Sequence, residues 1–287
     1  MRKYRQRTAR ILSAVLACGL LALGLSSFAR DLNDLLFEGV DFDYRGEVEK
    51  ATASFEQALA VDPKNEYALT KLGILYFKQK MIEKSMDAFT KAVDVDPRNV
   101  EAQIWVGILH MKNDELEKAH QAFEGVIRID PNNAAAYYYL GTLYNFRRNR
   151  VKAIELLKKS SDADSMEPDT HFRLAQAFDL AGMVHNALLE YERALDLNPR
   201  HTKALNAMGW IHYNQGEVAK AIELWKRSLS ENAADRDAAL NLAKAYNSLA
   251  KQELDAGRKD AARTYWQKTL EVDEGNKAAK YYLKRYN

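Results

Sequence analysis

The chain has 287 residues, 47% of them hydrophobic and 29% charged, an ordinary composition for a folded soluble protein with a substantial core. Five prolines and thirteen glycines exclude collagen-like and linker-rich chains, and a single cysteine excludes an internal disulfide framework or a multi-cysteine metal centre. Forty-two basic against 40 acidic residues give a net charge of +2, which lends no support to nucleic-acid binding.

The N-terminus departs from the rest. Arg2, Lys3, Arg5, Arg7 and Arg10 precede an uncharged, mostly apolar run over residues 11–25, and Ser26, Ser27, Phe28 and Ala29 follow it. This order of charge, apolar run and small residues is that of a secretory signal, with Ser27 and Ala29 marking cleavage after Ala29. At a rise of ~1.5 Å per residue the run is short for a bilayer core of about 30 Å, although residues 26–29 lengthen it. Retention of residues 11–29 as an inner-membrane anchor is therefore the alternative. Cys18 follows Val15, Leu16 and Ala17 in a loose likeness to a lipoprotein cleavage site. The apolar residues beyond it argue for a small side chain inside the segment instead. Cleavage after Ala29 removes five basic residues and no acid, takes the net charge from +2 to −3 and leaves no cysteine. That suits an oxidising compartment such as the periplasm.

The remainder is periodic. Pro63, Pro97 and Pro131, each after Asp, are 34 residues apart, and Pro199 after Asn198 lies two periods further on. Gly39, Gly73, Gly107 and Gly141 keep the same spacing, continued by Ala175 and Gly209. A third series runs through Phe55, Phe89, Phe123, Leu157, Tyr191 and Trp225. Leu69, Leu72, Gly73 and Tyr76 share one helical face, and Ser85, Phe89 and Ala92 face back from a second helix. Gly73 predicts a close approach of that helix, and Pro97 marks a boundary because it lacks the amide a continuing helix needs.

These residues resemble the tetratricopeptide repeat family, of an exported or membrane-anchored bacterial type. The resemblance implies an all-α fold: a right-handed superhelical solenoid of helix-turn-helix repeats. Repeats fall at 32–65, 66–99, 100–133, 134–167, 168–201 and 202–235, with a longer seventh unit to residue 276 and a capping helix over 277–287. The closing proline is missing at Ser165 and Ala233. Residues 160–169 are polar and read as a looser connection. The seventh unit carries seven extra residues, which predict longer helices or a solvent-facing connection.

Chemistry is poorly supported. The chain has no phosphate loop, no HExxH and no nucleophile elbow. His110 and His212 take the slot held by Tyr76, Tyr144, Phe178 and Tyr246 and read as packed between helices. His171 falls in another packing slot. Glu83, Glu115, Glu117 and Glu217 cluster at second-helix starts, where the dipole favours negative charge. No catalytic residue, metal site or cofactor is expected.

The resemblance implies a concave face lined by first helices, on which family members bind peptides or protein surfaces. Its inward positions here carry Phe77, Trp105, Tyr138, Tyr139, Phe146, Phe172, Trp210 and Tyr213, with Arg173 and Lys203 as polar anchors. Large aromatics on an open groove suggest a binding surface. The asparagines that relatives use to clamp a peptide carboxylate are replaced by Ile74, Ile108, Thr142, Gln176 and Trp210, so an apolar or aromatic partner segment fits better. The expected function is an exported, non-enzymatic protein- or peptide-binding scaffold of the cell envelope, with a self-assembling structural repeat protein, a homo-oligomer, as the alternative.

Overall fold

The structure, a computed structural model, describes residues 31–286. The signal or anchor segment, Cys18 and the cleavage point after Ala29 lie outside the described residues.

Fifteen α-helices and no strand occur among the described residues. They are α1 (Leu32–Tyr44), α2 (Val48–Val61), α3 (Glu66–Lys78), α4 (Ile82–Val95), α5 (Val100–Lys112), α6 (Leu116–Ile129), α7 (Ala134–Phe146), α8 (Arg150–Ala163), α9 (Pro168–Leu180), α10 (Val184–Leu197), α11 (Thr202–Asn214), α12 (Val218–Glu231), α13 (Arg236–Asp255), α14 (Lys259–Val272) and α15 (Lys277–Arg285). They form two compact units, the first ending at Ala122 and the second beginning at Phe123, inside α6. In the first unit each of α1 to α4 packs on the next. In the second the same holds from α7 to α15, and α11 also touches α13. No helix among the described residues is long and apolar enough to cross a membrane.

Four helical pairs are closed by a glycine under a ring or leucine. A Cβ added to Gly73 would stand 2.6 Å from Phe89 Cε1, and one on Gly141 would stand 2.6 Å from Leu157 Cγ. The glycine therefore makes room for a buried side chain of the second helix. These rings form the cores: Phe55 with Leu35, Leu72 and Leu75, and Phe89 with Leu69 and Leu109, in the first unit. Tyr191 with Leu157, Phe178 and Leu205, then Trp225 with Leu242 and Tyr246, follow in the second.

Two further series set the period. Asp62, Asp96, Asp130, Asp164, Asn198 and Asn232 each accept the amide two residues on through the side chain, at 2.8–3.1 Å. The turn thus persists at Asp164 and Asn232 without the proline, because the side-chain bond holds it. The other series is left-handed. Gly46, Lys80, Asp114, Arg148, Gly182, Gly216 and Gly257 have φ of 60–83°. The next amide reaches back five residues, as from Met81 to Tyr76 O at 2.8 Å, which caps the first helix. A side chain here costs about 1 kcal/mol that glycine avoids. Lys80→Gly should therefore raise stability by roughly 0.5 kcal/mol, the relief exceeding the greater freedom of the unfolded chain. A lower denaturation midpoint for this variant would count against left-handed strain at Lys80.

Neighbouring repeats are also latched by side chains. Asn99 caps α5 through the Ala102 amide at 2.8 Å and reaches back to Thr70 Oγ1 at 2.9 Å. Asp235 caps α13 at 3.1 Å while accepting from Asn206 Nδ2 at 2.9 Å and Ser228 Oγ at 2.7 Å. Asn276 caps α15 and accepts from Asn247 at 3.2 Å. Burial works to raise the Asp235 carboxyl, but hydrogen bonds from Ser228, Ala238, Asn206 and Asp237 outweigh it and hold the group below its usual range. A lowered native value means that stability is present above the unfolded value and lost as pH falls through the native one. Asp235→Ala should cost about 2 kcal/mol near neutral pH, from a lost cap and cross-repeat bonds. Denaturant unfolding should show that gap narrowing as pH falls through the lowered native value, where the wild-type carboxyl becomes protonated too; a gap independent of pH would contradict this.

The seven extra residues of the last repeat lengthen its first helix: α13 has 20 residues where α3 has 13. In α15, Ala279 is buried, and Tyr282 and Leu283 pack with it beside Trp266 as a cap. Residues 160–169 are not a loose connection throughout. Ser160 is buried and donates to Ala134 O at 2.9 Å, while Pro168 opens α9. His110 and His212 do more than pack. Their Nδ1 atoms pair with Glu115 at 2.5 Å and Glu217 at 2.7 Å, tying each first helix to the start of the second. Lys118 and Lys220, then these histidines, hold the two glutamates below the usual carboxylate range.

Candidate binding surface

In the first unit, Phe77 and Trp105 are half-buried. Trp105 stacks on Phe89 with ring centroids 5.5 Å apart and 4° between planes, and Phe77 lies 5.0 Å from it. Both rings pack against the Leu69–Phe89–Leu109 core. Lys112 Nζ lies 5.6 Å from the centre of Phe77. These positions thus serve packing on one side and exposure on the other, because a bulky ring beside a neighbouring second helix gains by burying a face.

In the second unit the candidates divide. Tyr139 stacks on Phe123 at 5.2 Å and meets Tyr138 edge-on at 5.0 Å; both are half-buried. They line an open cleft of about 330 Å³ together with Ala134, Ala135, Ser160, Asp164, Glu167, Asp169 and Thr170. Phe146, at 70% exposure, is the most accessible of the predicted rings. Trp210 packs edge-on against Trp225 at 5.8 Å and against Tyr213 at 5.6 Å. Lys203 is exposed. Arg173 donates to Gln176 Oε1 at 3.0 Å and reaches the Tyr138 hydroxyl at 3.5 Å.

Phe172 is a correction to the sequence reading. It is 4% exposed and belongs to the core, with Tyr191 at 5.8 Å and His201 at 4.7 Å. It cannot contact a partner, because α10 and the start of α11 enclose it.

Sequence reasoning missed Lys244, whose Nζ sits 4.3 Å from the centre of Trp210 and 5.6 Å from that of Tyr213. The signal was available: Lys244 lies 34 residues after Trp210. It also missed the partners of two buried histidines. His171 Nδ1 meets Glu190 at 2.7 Å and its Nε2 meets Ser165 O at 3.2 Å, and Arg193 joins Glu190 at 2.7 Å. His201 accepts the Ala204 amide on Nδ1, so its Nε2 carries the proton that Asp169 Oδ1 accepts at 3.1 Å. These contacts position α9 and α11. Among the described residues no group of three or more His, Cys, Asp and Glu could hold a metal ion, and no arrangement points to catalysis.

Comparison with known proteins fits this architecture. A profile described as "Tetratricopeptide repeat" matches residues 83–134, 106–165, 172–239 and 206–249, and one described as "TPR repeat" matches residues 42–80. These matches cover more than half of the chain, which therefore belongs to the tetratricopeptide repeat family. That family consists generally of non-enzymatic scaffolds that bind protein partners. A stretch of 126 residues, 44% of the chain, is 28% identical to the Protein CTR9 homolog of Arabidopsis thaliana, and spans only 11% of that relative. Among solved structures, the C-terminal part of a TPR repeat-containing protein from Cytophaga hutchinsonii superposes with a TM-score of 0.67 at 16% identity, over 88% of this chain and 99% of that one. A tetratricopeptide repeat protein from Parabacteroides merdae gives 0.62 at 18% identity, over 89% and 98%. At these identities the likeness is one of fold.

Proposed function

We propose that this chain is a non-enzymatic scaffold of the cell envelope that holds a protein or peptide segment against the aromatic faces of its first helices. The carrying observation is that these positions keep accessible ring surface although one face is already packed. Tyr138 and Tyr139 open into a cleft, and Phe146 stands out from α7. A partner's apolar or aromatic side chains would lose water against these rings. Export rests on the basic and apolar order of residues 1–29, and the mature N-terminus by mass spectrometry decides between cleavage after Ala29 and an anchor.

Affinity capture from the envelope fraction, followed by calorimetry with the captured partner, tests the binding. Phe146→Ala and Trp210→Ala should each weaken binding by roughly 1–4 kcal/mol if the ring is an anchor. Unchanged affinity in both would reject this surface. A second reading is self-assembly, favoured by Phe37 at 75% and Tyr44 at 91% exposure on α1. On α15 the exposed Lys277, Lys280, Lys284 and Arg285 surround an exposed Tyr281. A concentration-dependent sedimentation coefficient, abolished by Phe37→Ser with Tyr44→Ser, would favour it.

A further inference from the structure

The cleft beside α7 differs in charge from several other aromatic sites on first helices. At three of them the chain lays its own cation over the ring: Lys71 over Tyr67 at 5.4 Å, Lys112 over Phe77 at 5.6 Å and Lys244 over Trp210 at 4.3 Å. Among the described residues no lysine or arginine lies over Tyr138 or Tyr139, and Arg173 approaches Tyr138 only at its hydroxyl. The cleft instead faces three carboxylates, Asp164, Glu167 and Asp169.

Each carboxylate is held by one oxygen. Asp164 Oδ1 accepts from the Met166 amide at 3.0 Å, Glu167 Oε1 from the Asp169 amide at 3.3 Å, and Asp169 Oδ1 from His201 at 3.1 Å. The second oxygens of all three have no donor among the described residues, and no lysine or arginine pairs with them. The start of α9 accounts for negative charge at this point through its dipole and cap. It does not account for two tyrosine rings lining the same cavity as that charge. The field reaches the ring: burial first, then Tyr138, Asp169 and Glu167, push the Tyr139 phenol above its ordinary value.

We propose that this cleft receives a lysine or arginine side chain from a basic residue within the bound partner segment. The cationic head lies against the tyrosine faces, within reach of the unengaged carboxylate oxygens, and its aliphatic stem covers the ring surface. Ring quadrupole and carboxylates attract the same ligand charge, and carboxylates fixed by their other oxygen lose little freedom on pairing. The proposal rests on the scaffold reading above and adds the charge of the partner. It also separates two sites within this unit. At Trp210 the ring is already covered by Lys244, so a basic residue there would meet a like charge.

The test uses the full chain and three blocked hexapeptides with one apolar and aromatic frame, differing only in a central lysine, norleucine or glutamate. Calorimetry at low salt should show the lysine peptide binding about tenfold tighter than the norleucine peptide and tighter still than the glutamate peptide. The double variant Asp164→Asn, Glu167→Gln keeps the acceptor oxygens that hold the turn and the cap. It should erase the lysine preference while leaving norleucine affinity within about twofold and the circular dichroism unchanged, and added salt should reduce the wild-type preference. Equal binding of lysine and norleucine peptides would overturn the cationic site and leave the scaffold reading standing. A lysine preference that survives the double variant would also overturn it. Binding of none of the three would count against both.

Discussion

Replacing Gly73 by valine should lower the unfolding free energy by about 3 kcal/mol, at the upper end of what overpacking costs. A first side-chain carbon would already stand 2.6–2.7 Å from three atoms of the Phe89 ring. That ring has no exposed surface and is stacked on Trp105, so it has nowhere to turn. Alanine is the sharper probe. It gains roughly 1 kcal/mol of helix propensity over glycine, so any net loss with Gly73→Ala means that the steric cost exceeds that gain. Gly209→Ala should behave alike, since its Cβ would meet Trp225 Nε1 at 2.4 Å and disturb the indole's bond to Asn206 O. Combining Gly73→Ala with Phe89→Leu should cost less than the sum of the single changes. Wild-type stability for Gly73→Ala by denaturant unfolding would show that α3 and α4 slide apart without loss. Because repeats share their stability with neighbours, the midpoint of the whole first unit should move.

The second large effect concerns Trp105. Truncation to alanine should cost about 2–4 kcal/mol of stability, near the lower range for losing a packed aromatic. The indole contacts Phe89 and Phe77 and closes one side of the Leu69–Phe89–Leu109 core. The sequence reading treated Trp105 as a contact whose removal would barely touch the fold; the stack on Phe89 changes that expectation. An affinity loss in Trp105→Ala therefore mixes packing with binding. Phe146, exposed and outside the cores, is the cleaner probe, and Phe146→Ala should stay within about 0.5 kcal/mol of wild type. A Trp105→Ala protein that melts like the wild type would show that the stack contributes nothing.

The period of this protein was legible in its sequence because it is written in local signals. A proline after Asp ends one helix and starts another, and a glycine sixteen residues before Phe89 or Trp225 fixes the pairing of two helices. Even the breaks at Ser165 and Ala233 were covered one residue earlier, by Asp164 and Asn232, whose side chains make the turn unaided. The left-handed positions were half-hidden, since Lys80, Asp114 and Arg148 stand where Gly46, Gly182 and Gly216 advertise the conformation. What the tertiary structure decided was how much of each first-helix ring remains open. Phe172 and Phe146 both read as inward aromatics, yet one is enclosed and the other projects into solvent. That difference depends on the side chains of the adjoining helices, which heptad-like spacing within one helix does not report. The same holds for the cleft: Tyr138 and Tyr139 on α7 meet Asp164, Glu167 and Asp169 only because α8 folds back and delivers the start of α9 beside them, placing charges some thirty residues away in sequence around one cavity.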